Sequence, residues 1–270
     1  MTSLYTESAG NGPTLLLWHG WGMNLRIFDD LSATLRLHHH VVTVDLPGHG
    51  RSPWQPHFTS ESLLDELLPL VPSGATIVGW SLGSQLALRA AQRLGTWVRA
   101  LVLLNPTPRF LNAPDWPHGV DGAVMDDFAH GLQHNPEQLL RDFFELQLRG
   151  SRTTPHLMQQ LRATMMNHGV ATPAALAAGL HVLATQDLRS GAALIPQRTL
   201  IISGQHDRVT PPGAAQALAT LLPNARCVEL RRAAHLPFVS HRQQTTALIQ
   251  EFLRDTASST ACALAHEHGA

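Results

Sequence analysis

Short apolar runs alternate with amphipathic stretches over most of the chain. TLLLW (14–18), VVTVDL (41–46), ATIVGW (75–80), ALVLLN (100–105), TLIISG (199–204) and CVEL (227–230) are apolar on successive positions rather than on every second one. That is the pattern of strands covered on both faces. Between several of them lie segments with apolar residues at helical spacing, clearest over 82–94 and 213–222. Strand and helix taken in turn predict an α/β fold, with a mostly parallel central sheet and helices on both faces.

The rhythm breaks between about Pro106 and Asp187, where no good strand appears. In its place one punctuation recurs three times: Asn135-Pro136, Thr154-Pro155 and Thr172-Pro173. Each sets a capping side chain before a proline suited to the first helical position. Gly150 and Gly169 stand where two of those helices are expected to stop. The organisation expected is a core part over 1–109, an inserted all-helical lid over 110–188 and a second core part over 189–255. Residues 256–270, mostly small or polar, read as a frayed tail.

Composition narrows the function classes. A chain of 270 residues with 44% hydrophobic residues can bury one large core. Its formal net charge of -1 gives no general pull toward nucleic acid or an anionic membrane. All 19 Lys+Arg positions are arginine. Two cysteines, Cys227 and Cys262, make no disulfide framework. The start has neither a basic n-region nor an apolar h-region, and no apolar run is long enough to span a membrane. A cytoplasmic monomer is the expectation.

Candidate chemistry begins at Gly79-Trp80-Ser81-Leu82-Gly83, a Gly-x-Ser-x-Gly match with a strand run before it and a helix pattern after it. In that setting the chain turns sharply and lifts the serine hydroxyl clear of the sheet. A serine nucleophile needs a base, and the base needs an orienting acid. Asp207 follows TLIISG and His235 follows the run from Cys227, which suits the chain order serine, acid, histidine at the ends of successive strands. Among 17 histidines, His19, His38–His40, His49, His206 and His241 are better read as solvated or structural. Asp45 also ends a strand run but precedes the serine, which breaks the order. His19-Gly20-Trp21-Gly22 follows the first run as a glycine-rich turn, so the oxyanion donors expected are the N–H groups of Trp21 and Leu82. No His, Cys or Asp set has metal-ligand spacing, and the glycine-rich turns lack the pattern of a dinucleotide or phosphate loop. No metal or cofactor is expected.

These residues, with Asp45-Leu46-Pro47-Gly48-His49-Gly50-Arg51-Ser52 and Ala234-His235-Leu236-Pro237-Phe238, resemble the α/β-hydrolase superfamily. More narrowly the chain is similar to the family of pimeloyl-[acyl-carrier protein] methyl ester esterases of biotin synthesis. The narrower match rests on Trp21 and Trp80, on Asp115-Trp116-Pro117, and on Phe143-Phe144-Glu145-Leu146-Gln147. It rests also on Asp187-Leu188-Arg189 and Val239-Ser240-His241, and it covers about 250 residues.

The resemblance implies a serine esterase that cleaves the methyl ester of a pimeloyl group held on acyl-carrier protein, with no cofactor. It implies that Trp21 and Leu82 line the acyl site and that Phe143–Gln147 cover the chain. Lid arginines hold the acidic carrier in the family, but their pattern is not kept position by position here. Arg149, Arg152 and Arg162 are instead the only Asp, Glu or Arg side chains over 146–186, and they are the candidate docking residues. The triad also suits a broad small-ester esterase or lactonase, or a ligand receptor that keeps the fold.

Overall fold

The computed structural model describes residues 4–55, 58, 59, 62–151 and 153–267, the stretch 257–267 as backbone only. Seven strands form one sheet: β1 (Thr6–Ala9), β2 (Thr14–Trp18), β3 (His40–Val44), β4 (Ala75–Trp80), β5 (Val98–Leu104), β6 (Arg198–Gly204) and β7 (Ala225–Leu230). Their spatial order is β1-β3-β2-β4-β5-β6-β7. Every neighbouring pair is parallel except β1 with β3. All six apolar runs are strands, and the central ones are buried throughout, as in β4. Strand β1 (TESA) has no apolar signal to find. It is a short antiparallel edge, half-exposed along its length, and owes its place to pairing with β3.

The helices are α1 (Asp29–Leu35), α2 (Ser62–Leu67), α3 (Leu82–Leu94), α4 (Gly122–His134), α5 (Pro136–Leu148), α6 (Pro155–His168), α7 (Pro173–Thr185), α8 (Arg189–Ala192), α9 (Pro212–Leu221), α10 (Pro237–Ser240) and α11 (Arg242–Glu267). Helix α3 packs on β4 and β5, α9 on β6 and β7, and α11 on α1 and β6. Residues 256–267 continue helix α11 rather than trailing from it. Alanines at 257, 261, 263 and 265 carry enough helix propensity to extend it.

Helices α4 to α7 lie between β5 and β6. The side chains of Asn135, Thr154 and Thr172 accept from Gln138, Leu157 and Ala175 N–H, each at 3.2 Å. Each cap stabilises its helix start by about 1 kcal/mol. Helix α4 lacks the proline signal and is capped by Asp121, which accepts from Ala123 N–H at 2.9 Å. The two crossings between insertion and core lie together. Leu188 N–H donates to Pro108 C=O at 2.9 Å, and the Arg109 guanidinium meets the Asp187 carboxylate at 2.7 Å.

Candidate active site

Parallel register brings three strand ends to one edge. Trp80 of β4 lies opposite Leu104 of β5, and Leu104 lies opposite Ile202 of β6. The next residues, Ser81 and Asn105, and the loop after Gly204 therefore open on the same side of the sheet. Ser81 N–H donates to Leu104 C=O at 3.1 Å, and helix α3 starts at the next residue. A reversal this tight holds Ser81 at φ 54°, ψ −119°. Non-glycine residues are driven into such conformations only where the surroundings enforce them, at about 1–3 kcal/mol. The flanking glycines are required by close approach. A β-carbon on Gly79 would lie 2.4 Å from Gly83 C=O oxygen, and one on Gly83 would lie 2.1 Å from that of Trp18.

Beside the serine, the turn after β2 comes close enough that a β-carbon on Gly20 would lie 3.2 Å from the Ser81 Cβ. Trp21 follows, buried, with its indole N–H on Leu176 C=O of α7 at 2.8 Å. Leu82 is the first residue of α3, where backbone N–H groups have no acceptor within the helix and the helix dipole adds positive potential.

Asp207 and His235 meet at 2.8 Å, His235 Nδ1–H donating to Asp207 Oδ2, and both side chains are buried. That hydrogen bond fixes the ring tautomer and leaves Nε2 with its lone pair. Nε2 is buried and has no hydrogen-bond partner among the described residues. The His235 ring packs on Trp80, whose indole N–H donates to His235 C=O at 2.9 Å. Asp207 Oδ1 accepts from Val209 and Thr210 N–H at 2.8 and 2.9 Å. Its Oδ2 also takes the Asn105 amide and lies 2.8 Å from the Thr210 hydroxyl. Burial alone would raise this carboxyl; the His235 charge and hydrogen bond, with the hydrogen bonds of the Asn105 amide and the Thr210 backbone N–H, turn the shift downward.

Ser81 sits in the wall of a cavity whose other lining residues are all apolar: Trp21, Phe110, Val124, Met125, Phe128, Phe143, Leu180, Leu183 and Val209. Trp21, Phe128 and Phe143 meet one another at ring separations of 5.2 to 5.7 Å. Phe144, one residue on, lines a second cavity of about 190 Å³ together with Met23, Arg141, Arg162 and Met165. Of the rest of that segment, Glu145 is exposed and Leu146 half-buried. Gln147 is buried, and its C=O accepts from His235 N–H at 3.0 Å. That carbonyl is free because α5 ends at Leu148. Arg149 caps the end of α5 in the open, and Arg162 lines the second cavity between α5 and α6. Arg152 lies outside the described residues.

Of the other sequence candidates, His19, His49 and Asp45 are built into the core, while His38 and His206 are exposed and His39, His40 and His241 half-buried. His19 Nε2 accepts from Leu46 N–H at 3.0 Å, and burial drives its pKa well below the ordinary range. Asp45 makes a second buried acid–histidine pair, its Oδ2 2.7 Å from His168 Nε2 at the end of α6. That pair and Asn24, which donates to Met165 and Gly169 C=O at 2.9 and 2.8 Å, fasten α6 to the core. Asn105 and Thr210 escaped the sequence reading. The available signal was Asn105 itself, a polar residue closing the run ALVLLN. Among the described residues no three His, Cys, Asp or Glu side chains converge as metal ligands.

Comparison with known proteins agrees with this fold. The family model for the alpha/beta hydrolase fold matches residues 13–242. The chain is 35% identical over 244 residues to the pimeloyl-[acyl-carrier protein] methyl ester esterase of Nitrosomonas europaea, covering 90% of this chain and 97% of that one. It is 36% identical over 250 residues to the protein of the same name from Methylococcus capsulatus, covering 93% and 98%. Among solved structures, an esterase from Exiguobacterium antarcticum superposes with a TM-score of 0.85 at 21% identity, over 93% of this chain and 95% of the other. At that identity the likeness is one of fold. The chain belongs to the α/β-hydrolase fold family and, within it, to the pimeloyl-[acyl-carrier protein] methyl ester esterases.

Proposed function

We propose that this protein is a serine carboxylesterase that hydrolyses the methyl ester at the end of a pimeloyl chain carried on acyl-carrier protein, in biotin synthesis. Ser81 is the nucleophile, His235 the general base and Asp207 the group that orients it. Ser81 Oγ gives its proton to His235 Nε2 and attacks the ester carbonyl. The N–H groups of Trp21 and Leu82 hold the resulting oxyanion. His235 then protonates the departing methoxide, and water, activated in the same way, releases the acyl group from Ser81.

The observation that carries this reading is the wall around Ser81, apolar at every other position. A neutral methyl ester enters such a space at little cost, whereas a free carboxylate has to leave its hydration behind. The cavity thus favours the esterified chain over its hydrolysed product, and the product is expelled. Helices α4 to α7 serve as the lid over this cavity. The carrier, an acidic protein, docks on the lid through Arg149, Arg152 and Arg162.

The test is labelling of the protein by an alkyl fluorophosphonate, read by mass spectrometry at Ser81, together with release of methanol from pimeloyl-carrier methyl ester. Ser81→Ala is expected to abolish both, with a loss of roughly 10⁴–10⁶ in turnover. Undiminished methanol release by that variant refutes the reading.

A further inference from the structure

Strand β5 closes on Asn105, which is buried and lies at φ 47°, a left-handed conformation that asparagine tolerates far better than most residues. Its N–H donates to Ile202 C=O of β6 at 2.8 Å. Its side-chain NH₂ donates to Asp207 Oδ2 and to Ala234 C=O, the latter at 3.3 Å. Both partners are acceptors, so the amide orientation is fixed by the network. Its own C=O lies 3.1 Å from the Thr210 hydroxyl, whose single proton serves either this carbonyl or Asp207 Oδ2 at one time. One residue thus touches the acid, the residue before the base and the Thr210 hydroxyl that also reaches the acid.

We infer that Asn105 is a positioning residue of the catalytic pair, acting through Asp207 and the Ala234 carbonyl to set the placement and basicity of His235. The inference rests on the triad reading proposed above. The positive φ alone would be met by glycine without an amide, and Asn105 Oδ1 is buried with no partner among the described residues. An orphaned acceptor in the core is a liability that an apolar side chain avoids. What the amide supplies is its NH₂. By donating to Oδ2 it draws off part of the charge that would otherwise be spent on the imidazolium. It also holds the base's loop at a fixed distance from the acid's loop. Without it the carboxylate grips the imidazolium harder, so His235 keeps its proton to higher pH, and the ring loses a restraint on its position.

Asn105→Gly removes the amide and accepts the positive φ. Active sites are counted by fluorophosphonate labelling, and kcat, KM and the pH profile of kcat/KM are measured per labelled site on nitrophenyl acetate. The expected result is a fall in kcat of roughly ten- to a hundred-fold, the scale of one charge-assisted hydrogen bond, with KM unchanged and the acid limb moved to higher pH. A kcat within twofold of wild type, or an acid limb that does not move, overturns the inference. Lower thermal stability alone would mark Asn105 as structural.

If the glycine variant does not fold, Asn105→Asp keeps the size and tolerates the backbone. Its new carboxyl shares a buried site with Asp207, so one of the two titrates well above the ordinary carboxylate range. Activity relative to wild type is expected to fall steadily as pH rises and that group ionises. A ratio independent of pH overturns the inference. Failure of the wild-type protein to label at Ser81 would refute the triad reading itself, a different outcome from either of these.

Discussion

Among the described residues there are two buried acid–histidine pairs, and replacing each acid by asparagine separates their roles. Asp207 accepts two backbone N–H groups on Oδ1, while His235, Asn105 and Thr210 face Oδ2. An asparagine at 207 has one oxygen. If that oxygen takes the Oδ2 place, its NH₂ faces the N–H groups of Val209 and Thr210, neither of which can turn away. If it takes the Oδ1 place, Thr210 can swing its proton to Asn105 C=O, and His235 can accept at Nδ1 by moving its own proton to Nε2. The second arrangement conflicts only with the Asn105 amide and is the one expected. It leaves no lone pair for Ser81. Wrong-tautomer variants lose about 10⁴ in kcat, or about 5.4 kcal/mol of transition-state stabilisation.

The same exchange at Asp45 has a different consequence. Its Oδ2 serves Arg51 N–H at 2.9 Å and His168 Nε2 at 2.7 Å, while Oδ1 serves Leu25 N–H at 2.8 Å. An asparagine oxygen in the Oδ2 place keeps two of these and leaves one N–H unsatisfied, at about 1–3 kcal/mol of stability. Measured per fluorophosphonate-labelled site on nitrophenyl acetate, Asp45→Asn is expected to keep kcat within about threefold while its urea midpoint falls. Asp207→Asn is expected to lose about four decades of kcat. Swapped outcomes, or equal losses in both variants, would refute the assignment of Asp207 as the partner of the base.

Three further outcomes follow from the same geometry. Phe143→Ala is expected to raise KM for a pimeloyl methyl ester more than for an acetyl ester, because each methylene of the chain loses part of a contact worth about 0.8 kcal/mol. Phe144→Ala, which opens the second cavity, should not discriminate between them, and the reverse pattern would reassign the acyl site. His49 is kept neutral by burial, which lowers its pKa from 6.5 to about 4 against the opposing pull of Pro47 C=O and Asp45. Its contribution is therefore present above pH 6.5. It is lost between pH 6.5 and 4, as the unfolded chain takes up a proton that the fold refuses, by about 3 kcal/mol. His49→Leu is expected to flatten the dependence of urea stability on pH over that window; an unchanged slope refutes this. Changing Arg149, Arg152 and Arg162 together to Gln is expected to slow turnover of the carrier-bound ester, most at low salt. The free methyl ester should be spared, and equal losses on both would end the docking proposal.

The part of the fold that announces itself in the sequence is the part whose burial is two-sided. Strands β2, β4, β5 and β6 are buried on nearly every position and had to be apolar there, while β7, an edge strand with Arg226 and Glu229 exposed, showed only the short run CVEL. Helices α5 to α7 carried side-chain caps followed by proline, so both classes were readable one segment at a time. Strand β1 and helix α4 were not. The sequence TESA has no face to hide, and its strand character comes from β3. Helix α4 has no fully buried residue and has a glycine after its cap in place of proline. Residues 256–267 went the other way, since small polar composition suggested fraying while local alanine propensity sustained the helix.

The site divides along the same line. Ser81 was legible because the elbow imposes glycines at 79 and 83 through close contact, which leaves a mark in the local sequence. Asp207 and His235 were legible only through chain order, because positional logic alone does not separate them from Asp45, His19 or Asn105. All five lie at or soon after the C-terminal end of a strand of the sheet, where side chains leave the sheet edge. What separates Asn105 from Asp45 is the order of the strands in the sheet. β5 sits between β4 and β6, so Asn105 falls between the serine and the acid and is drawn into the pair's hydrogen bonding. β3 lies on the other side of β2, so Asp45 falls away from Ser81 and meets α6 instead. Sheet order, which no single segment of the sequence encodes, turns Asp45 into a fastening for the helical insertion and Asn105 into a support for the base.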